Sequence, residues 1–530
     1  MRKFFSYGPL DGNLHYYAPR TALIERACQQ LIGDDPTAGG HYITVWAPRQ
    51  SGKTWLMQQV AARIKQRGDF DVVITTLQLA KNTETPAAAL KILITHLRDH
   101  FQRDFPLITE WSDLPILFTA AYFERPVILL LDEFDALAPA FINAFVNEFR
   151  GIYTERSNQG ERVSAEKGYL LHGLALIGVR NVLGIENVSG SPFNVQRSLR
   201  IPNLTLEEVT GMFQWYAQES GQAVEQAVID RIFYETQGQP GLTGWLGELV
   251  TDTYNRHTDT ITLADFEQAY TAAVRLLPNN NVLNIISKAK QEPFKQVVLD
   301  LFQTQTKIEF SFEEPNLNYL YLNGVIDYEQ VGDNYFAKFP SPLIQKRLFH
   351  YFARDIFPRL GQLFDPFADL QDTITPTTLH LPRLLQRYES YLQQHAPRLF
   401  KEAPRRADDF RVYEAVYHFN LYMYLMRFLE SYPAQVHPEF PTGNGKIDLL
   451  IRYAGQRYGM EVKSFASRRE YEKALVQAAD YARQLGLTVI LLVMFIDAVD
   501  EDNRRKFEAP YVDAATGVTV NPQFVVTGTP

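Results

Sequence analysis

At 530 residues the chain exceeds what one hydrophobic core supports, and at roughly 150 residues per domain three or four units are expected. With 46% hydrophobic and 21% charged residues it is neither disordered nor fibrous, and a net charge of -9 argues against a general nucleic-acid coat while leaving room for a local basic surface. The single cysteine, Cys28, excludes an internal disulfide and a cysteine-rich zinc site. The apolar runs VILLL and VILLVMF are too short to span a bilayer, and the N-terminal MRKFFSYGPLDG lacks the apolar stretch of a signal peptide. The sequence therefore reads as cytoplasmic, with no membrane partner.

The first predicted elements are the β-rich HYITVW and the helically spaced TWLMQQVAARIKQ. Between them, Ala47, Pro48, Arg49, Gln50, Ser51, Gly52, Lys53 and Thr54 make a strand-to-helix turn of the phosphate-binding kind. Gly52 lets the backbone approach the phosphates of ATP, and the amides at the helix start point at them. Lys53 reaches the β/γ oxygens and Thr54 offers a hydroxyl to Mg²⁺. Ala47 replaces the first glycine of the usual pattern, which is tolerable if its φ is negative.

Next comes RPVILLLDEFDAL, a fully buried parallel strand bounded by Pro126 and ending in Asp132 and Glu133. It is similar to a Walker B strand, in which Asp132 would hold Mg²⁺ and Glu133 would polarise the attacking water. A further strand, LALIGVRNV, ends in Arg180 and Asn181; either could sense a γ-phosphate, and either could belong to an ordinary turn. ETQGQPGLTGWLGELV then opens a helix with Gly238, Gln239 and Pro240.

Together these motifs resemble the AAA+ and STAND branch of P-loop ATPases. The resemblance implies a P-loop NTPase parallel sheet over residues 1–200 and a helical lid over 201–280. It places Pro240 against the adenine, and through the leading YYAPRTALIE it places Arg20 near the nucleotide. Arg150, Arg156, Arg162 and Arg197 are all readable as an arginine finger and all readable as surface arginines. A homo-oligomer stays open for that reason.

PNNNVLN is polar and turn-rich, which suits a boundary, and PFKQVVLDLFQ has helical spacing. LNYLYLNGVIDYEQVGDNYFAKFPSPLIQKRLFHYF then gives a helix, a glycine turn, two strands around GDN and a second helix. Residues 281–375 thus resemble a winged helix. Such a unit either enters a DNA groove or serves as an intramolecular clamp. Without an evident basic recognition helix, the clamp is expected.

The remaining segment, 376–530, contains GKIDLLIRYAGQRYGMEVKSF, two alternating strands joined at Ala454-Gly455. Glu461 and Lys463 lie two apart, on one face of the second strand, next to Asp448 on the first. Asp448 and Glu461 can ligate Mg²⁺, while Lys463 can orient water and stabilise charge on a phosphate. The series Asp448, Glu461, Val462, Lys463 resembles the PD-(D/E)XK nuclease pattern, with Ile447 where that family often has proline. A C-terminal restriction-endonuclease-like α/β domain is implied. Within EYEKALVQAADYARQLGLTVILLVMF, Gln477 and Tyr481 stand one helical turn apart, like the Gln-x-x-x-Tyr element that several nucleases of this fold carry beside the metal. RVYEAVYHFNLYMYLMRFLE offers Glu414 as a further metal-site carboxylate or as a solvated helical glutamate. Arg398, Lys401, Arg405, Arg406, Arg468, Arg469 and Lys473 flank this core, as phosphate contacts or as solubilising charge.

The expected function is that of an ATP-binding and ATP-hydrolysing protein that gates or assembles a Mg²⁺-dependent nuclease acting on DNA, in defence or mobile-element biology. The alternative is a nucleotide-dependent signalling or binding switch whose nuclease fold does not cleave.

Overall fold

The computed structural model describes residues 1–8, 10–178, 197–256, 259–302, 307–406, 412–439 and 448–527. These form two compact units, Met1–Ala273 with Tyr321–Gly324, and Val274–Leu320 with Val325–Pro530. The first unit takes residues 1–273 of the expected ATPase core and lid together with Tyr321–Gly324 of the winged-helix-like segment, and the second takes the rest. Within PNNNVLN, just after the division between the units, Asn279 caps a helix, its side chain accepting hydrogen bonds from the Asn281 and Val282 amides.

In chain order the first unit contains α1 (Thr21–Ile32), β1 (Tyr42–Trp46), α2 (Lys53–Lys65), β2 (Asp71–Thr76), α3 (Pro86–Phe101), β3 (Val127–Asp132), α4 (Pro139–Asn158) and β4 (Leu171–Gly178). After them come β5 (Arg197–Arg200), α5 (Leu206–Ser220), β6 (Ala223–Val224), α6 (Gln226–Thr236), α7 (Pro240–Glu248), β7 (Thr260–Ile261) and α8 (Leu263–Arg275). The main sheet is parallel, in the order β2-β3-β4-β1-β5. Strands β1, β3 and β4 are buried along their whole length, which is why they read as unbroken apolar runs. Alternation along β3 builds two layers: Ile128 and Leu130 pack with α1 and α2, whereas Leu129 and Leu131 pack with α3 and α4. Because β4 lies between β1 and β3, the ends of β1 and β3 flank a gap one strand wide.

A buried polar relay ties α4 to the sheet. Arg156 Nη2 donates to Ser164 Oγ (2.6 Å), Ser164 Oγ lies 2.7 Å from His172 Nδ1, and His172 Nε2 lies 2.8 Å from the Ile32 carbonyl. Arg156, one of the arginine-finger candidates, is therefore a structural residue. Burial pushes the His172 imidazole down from 6.5 to about 4. Between those values the unfolded chain takes up a proton that the folded chain refuses, so stability falls as pH drops from 6.5 towards 4, by roughly 3 kcal/mol for this residue. Urea midpoints across that window should fall with acidification, and less steeply in His172→Asn. Equal slopes in both proteins would contradict this assignment.

The second unit contains α9 (Asn280–Ala289), α10 (Phe294–Leu301), α11 (Pro315–Leu322), β8 (Asp327–Val331), β9 (Asn334–Lys338), α12 (Pro342–Ile356), α13 (Leu381–Leu399) and α14 (Glu414–Phe428). It continues with β10 (Gln435–Glu439), β11 (Asp448–Tyr453), β12 (Gln456–Ser464), α15 (Arg468–Gln484), β13 (Val489–Ile496), α16 (Glu501–Phe507), β14 (Tyr511–Val512) and β15 (Thr519–Val526). The helix, hairpin and helix expected over 281–375 are present, with β8 and β9 antiparallel. The main sheet here is mixed, in the order β10-β11-β12-β13-β15-β14, antiparallel as far as β12 and parallel from β12 through β13 to β15. Helix α14 is buried on nearly every side, and with its apolar and aromatic residues it buries the polar Glu414, His418 and Asn420. Among the described residues no helix is long and apolar enough to cross a membrane.

Candidate functional site

The turn between β1 and α2 closes on itself. Gln50 and Gly52 take left-handed φ values of 56° and 80°, while Ala47 stays outside that region, so its methyl group is no obstacle. Lys53 folds beneath the loop and donates to the carbonyls of Ala47 (2.8 Å) and Pro48 (2.9 Å), and Ser51 Oγ donates to Pro48 O (2.7 Å). Burial lowers the Lys53 ammonium, and the charges of Asp135, Glu133 and Asp132 oppose that shift. Thr54 Oγ1 donates to Asp132 Oδ2 at 2.6 Å, joining the turn to the end of β3. A hydroxyl and a carboxylate so placed are the hard oxygen donors that Mg²⁺ takes. Glu133 stands in the left-handed region, φ 52°, with its amide on Asp132 Oδ1 (2.9 Å); burial first, then Asp132 and Asp135, raises its carboxyl.

A cavity of about 790 Å³ opens here, lined by Arg49 to Thr54, Asp132, Glu133, Pro240 and Gly241. The lid reaches it through a short bridge. Gln239 Nε2 donates to the carbonyls of Arg49 (3.0 Å) and Gln50 (3.2 Å), and the Gly241 amide donates to Gln50 O (3.0 Å). Gly238 makes the bridge possible: its φ is 68°, and a Cβ there would lie 2.0 Å from the Leu204 carbonyl oxygen. Gly238→Ala should lower stability by about 2 kcal/mol or more and weaken nucleotide binding with it; an unchanged melting temperature would refute that role for the glycine.

Residues 5–253 match the family model of an AAA-like domain. This supports a P-loop ATPase over the AAA-like segment, and the match does not extend to the mixed sheet. A search of the curated proteins finds no match. Among solved structures, the chain is similar to the Orc1 protein of Aeropyrum pernix in complex with DNA (15% identity, TM-score 0.35, 63% of this chain and 92% of that one). It is similar to a Walker-type ATPase of Pyrococcus abyssi (12%, TM-score 0.42, 66% and 98%) and to the RuvB Holliday junction branch migration motor of Thermotoga maritima (13%, TM-score 0.33, 60% and 92%). At these scores the likeness carries no further argument.

Other expected residues of the AAA-like segment fall elsewhere. Arg20 does not line the cavity: it precedes α1 and donates to Pro202 O (2.7 Å), Asn203 O (3.2 Å) and Glu208 Oε1 (3.2 Å), holding the segment that leads into α5. Arg180 and Asn181 lie outside the described residues. The sequence reading missed Asp135, the strongest opposing charge on Lys53, and the N-terminal residues Phe5 to Gly8, which line the cavity without any motif to announce them.

In the second unit, the register sets Asp448 opposite Glu461 across β11 and β12, as the alternating pattern anticipated. The side chain of Asp448 lies outside the described residues. Glu461 and Lys463 are both buried and form an ion pair, Nζ to Oε1 3.0 Å, and Glu461 Oε1 receives no well-aligned hydrogen bond. Glu414, at the first turn of α14, is buried rather than solvated, and its Oε1 accepts from the Ser464 amide at 3.2 Å. The start of α14 is thereby fixed to the end of β12, the strand that carries Glu461 and Lys463. Two buried carboxylates, Glu414 and the Lys463-paired Glu461, offer the hard oxygen donors that a divalent cation takes. Among the described residues, however, no three His, Cys, Asp or Glu side chains are placed to hold one. Gln477 is exposed and Tyr481 buried, so the two straddle the edge of their helix face. Arg468 and Lys473 pair along α15 with Glu472 (3.0 Å) and Glu470 (2.8 Å), which reduces the net basic charge there.

His418, one turn beyond Glu414, was not singled out, although the four-residue spacing on α14 could have flagged it. It is fully buried, and burial together with the Lys463 charge pushes its imidazole down to about 3, leaving it neutral.

Proposed function

We propose that the AAA-like segment binds and hydrolyses ATP and that this controls a Mg²⁺-dependent nuclease built on the mixed sheet, with DNA as substrate. The observation that carries the first half is the convergence of Lys53, Thr54, Asp132 and Glu133 on one cavity. A divalent cation, when bound, supplies positive charge for the phosphate oxygens. The chain's own groups do the rest: the amides from Gly52 onward cradle phosphate, Lys53 neutralises it, Thr54 and Asp132 provide oxygen donors, and Glu133, with its raised affinity for a proton, orients and deprotonates water. Support for the second half is the placement of Glu414, Glu461 and Lys463 around the end of β12, with Asp448 opposite Glu461 in register. Lys463 would stabilise charge on the scissile phosphate.

The β8–β9 hairpin carries Asp327, Glu329 and Asp333 against Lys338. Carboxylates repel a phosphate backbone, which favours the clamp over a DNA-reading wing. The deciding experiment incubates the purified protein with supercoiled plasmid, linear duplex, single strands and RNA, with and without Mg²⁺ and ATP. Mg²⁺-dependent cleavage of DNA that responds to ATP is expected. ATP hydrolysis accompanied by nucleic-acid binding but no cleavage under any condition would overturn the nuclease half and select the binding switch.

A further inference from the structure

We propose that His418 is a positioning residue of the second site, donating its Nε2 hydrogen to Glu414 and so aiming that carboxylate at the Glu461 and Lys463 face of β12. The inference rests on the nuclease-like reading of this site.

Three observations carry it. His418 Nε2 lies 3.6 Å from Glu414 Oε1, on the same face of α14 one turn away, a separation that a small ring rotation closes to a hydrogen bond. The side chain has no solvent exposure, yet among the described residues neither ring nitrogen has a hydrogen-bond partner, an arrangement that folded proteins rarely keep without use. Glu414 is itself held to the Ser464 amide, next to Lys463, and the Phe495 ring of β13 lies over the imidazole with centroids 6.0 Å apart and 28° between planes. The imidazole is thus confined between a ring and a carboxylate already committed to the site. A neutral imidazole has one N–H, and when Nε2 carries it the ring becomes a second donor to the oxygen that the Ser464 amide already holds. Metal-bound carboxylates are commonly oriented by such outer hydrogen bonds.

The test uses Mn²⁺ alone as the probe, bound to the full-length protein without nucleotide and followed by electron paramagnetic resonance. The Glu461→Gln variant identifies which signal belongs to this site. His418→Leu, which keeps volume and removes the donor, should weaken that Mn²⁺ site about tenfold. His418→Gln, whose amide restores a donor near the Nε2 position, should return it to within about twofold of wild type. Glu414→Gln combined with His418→Leu should be no weaker than Glu414→Gln alone, since both remove the same interaction. Binding by His418→Leu equal to wild type, where Glu461→Gln does reduce it, would overturn the positioning role and leave the site intact. Failure of His418→Gln to rescue would also overturn it, because the imidazole itself would then be required. No Mn²⁺ signal sensitive to Glu461→Gln would overturn the nuclease-like reading and this inference with it. If His418→Leu does not fold, the ¹⁵N shifts of histidine-labelled wild type decide: a hydrogen-bonded Nε2–H that changes in Glu414→Gln is expected, and an Nδ1–H tautomer overturns the proposal.

Discussion

Lys53→Ala is expected to lose ATP binding by at least about 100-fold. The ammonium lines the cavity and is held there by two carbonyls of its own loop, within reach of a phosphate bound in that cavity. Hydrogen bonds from a charged group contribute roughly 1.5–3 kcal/mol each, so two such bonds turned onto phosphate oxygens would amount to several kcal/mol of affinity. Titration with a fluorescent ATP analogue reads the effect directly. Wild-type affinity in the variant would sink the assignment of the loop. Glu133→Gln is the companion: it leaves the cradle untouched, so binding should persist while turnover slows about 10²- to 10³-fold.

The second large effect is expected at Lys463. Its removal should reduce DNA cleavage about 10²- to 10³-fold, the usual consequence of deleting one donor to developing charge. It also strips Glu461, 1% exposed, of its ion-pair partner, and an uncompensated buried charge costs about 3–5 kcal/mol. Lys463→Ala should therefore melt earlier as well. The charge-neutral double change Glu461→Gln with Lys463→Gln separates the two effects: it should recover most of the stability and none of the cleavage. ATP turnover measured without nucleic acid should be unchanged in both proteins. If the double variant cleaves like wild type, the catalytic reading of this ion pair is lost. Assaying cleavage in Lys53→Ala then reveals coupling: its loss supports ATP control of the nuclease, and its retention means the two activities are independent.

Local pattern made the nucleotide loop legible. The strand, the turn glycine and the amphipathic helix are consecutive in sequence, and β3 announces itself by five apolar residues and an acidic pair. The pairing of Asp448 with Glu461 was equally readable, because a short hairpin turn and strict alternation leave one register. Contacts distant in sequence were not. Gln239 reaches Arg49 across 190 positions, and Arg20 finds its partners 182 to 188 positions away, so no window of sequence contains either pair. Helical spacing placed Gln477 and Tyr481 on one face correctly as geometry. It could not show that the face is cut by the edge of the core, with one residue in solvent and the other beneath it. Arg156 read as a surface arginine or a finger because its partners, Ser164 and the Tyr169 carbonyl, come from a loop with no periodicity.

The bridge from Gln239 and Gly241 to the carbonyls of Arg49 and Gln50 has an energetic consequence. Those carbonyls belong to the same turn that lines the cavity, so a shift of α7 would pull on that turn through three hydrogen bonds, and a phosphate held by the turn would pull back. By thermodynamic reciprocity, a partner that grips the lid must change nucleotide affinity by the same factor by which nucleotide changes the grip of that partner. Nucleotide affinity is thus expected to depend in part on a glutamine side chain far along the chain, and a change at Gln239 should shift it without altering Lys53, Thr54 or Asp132.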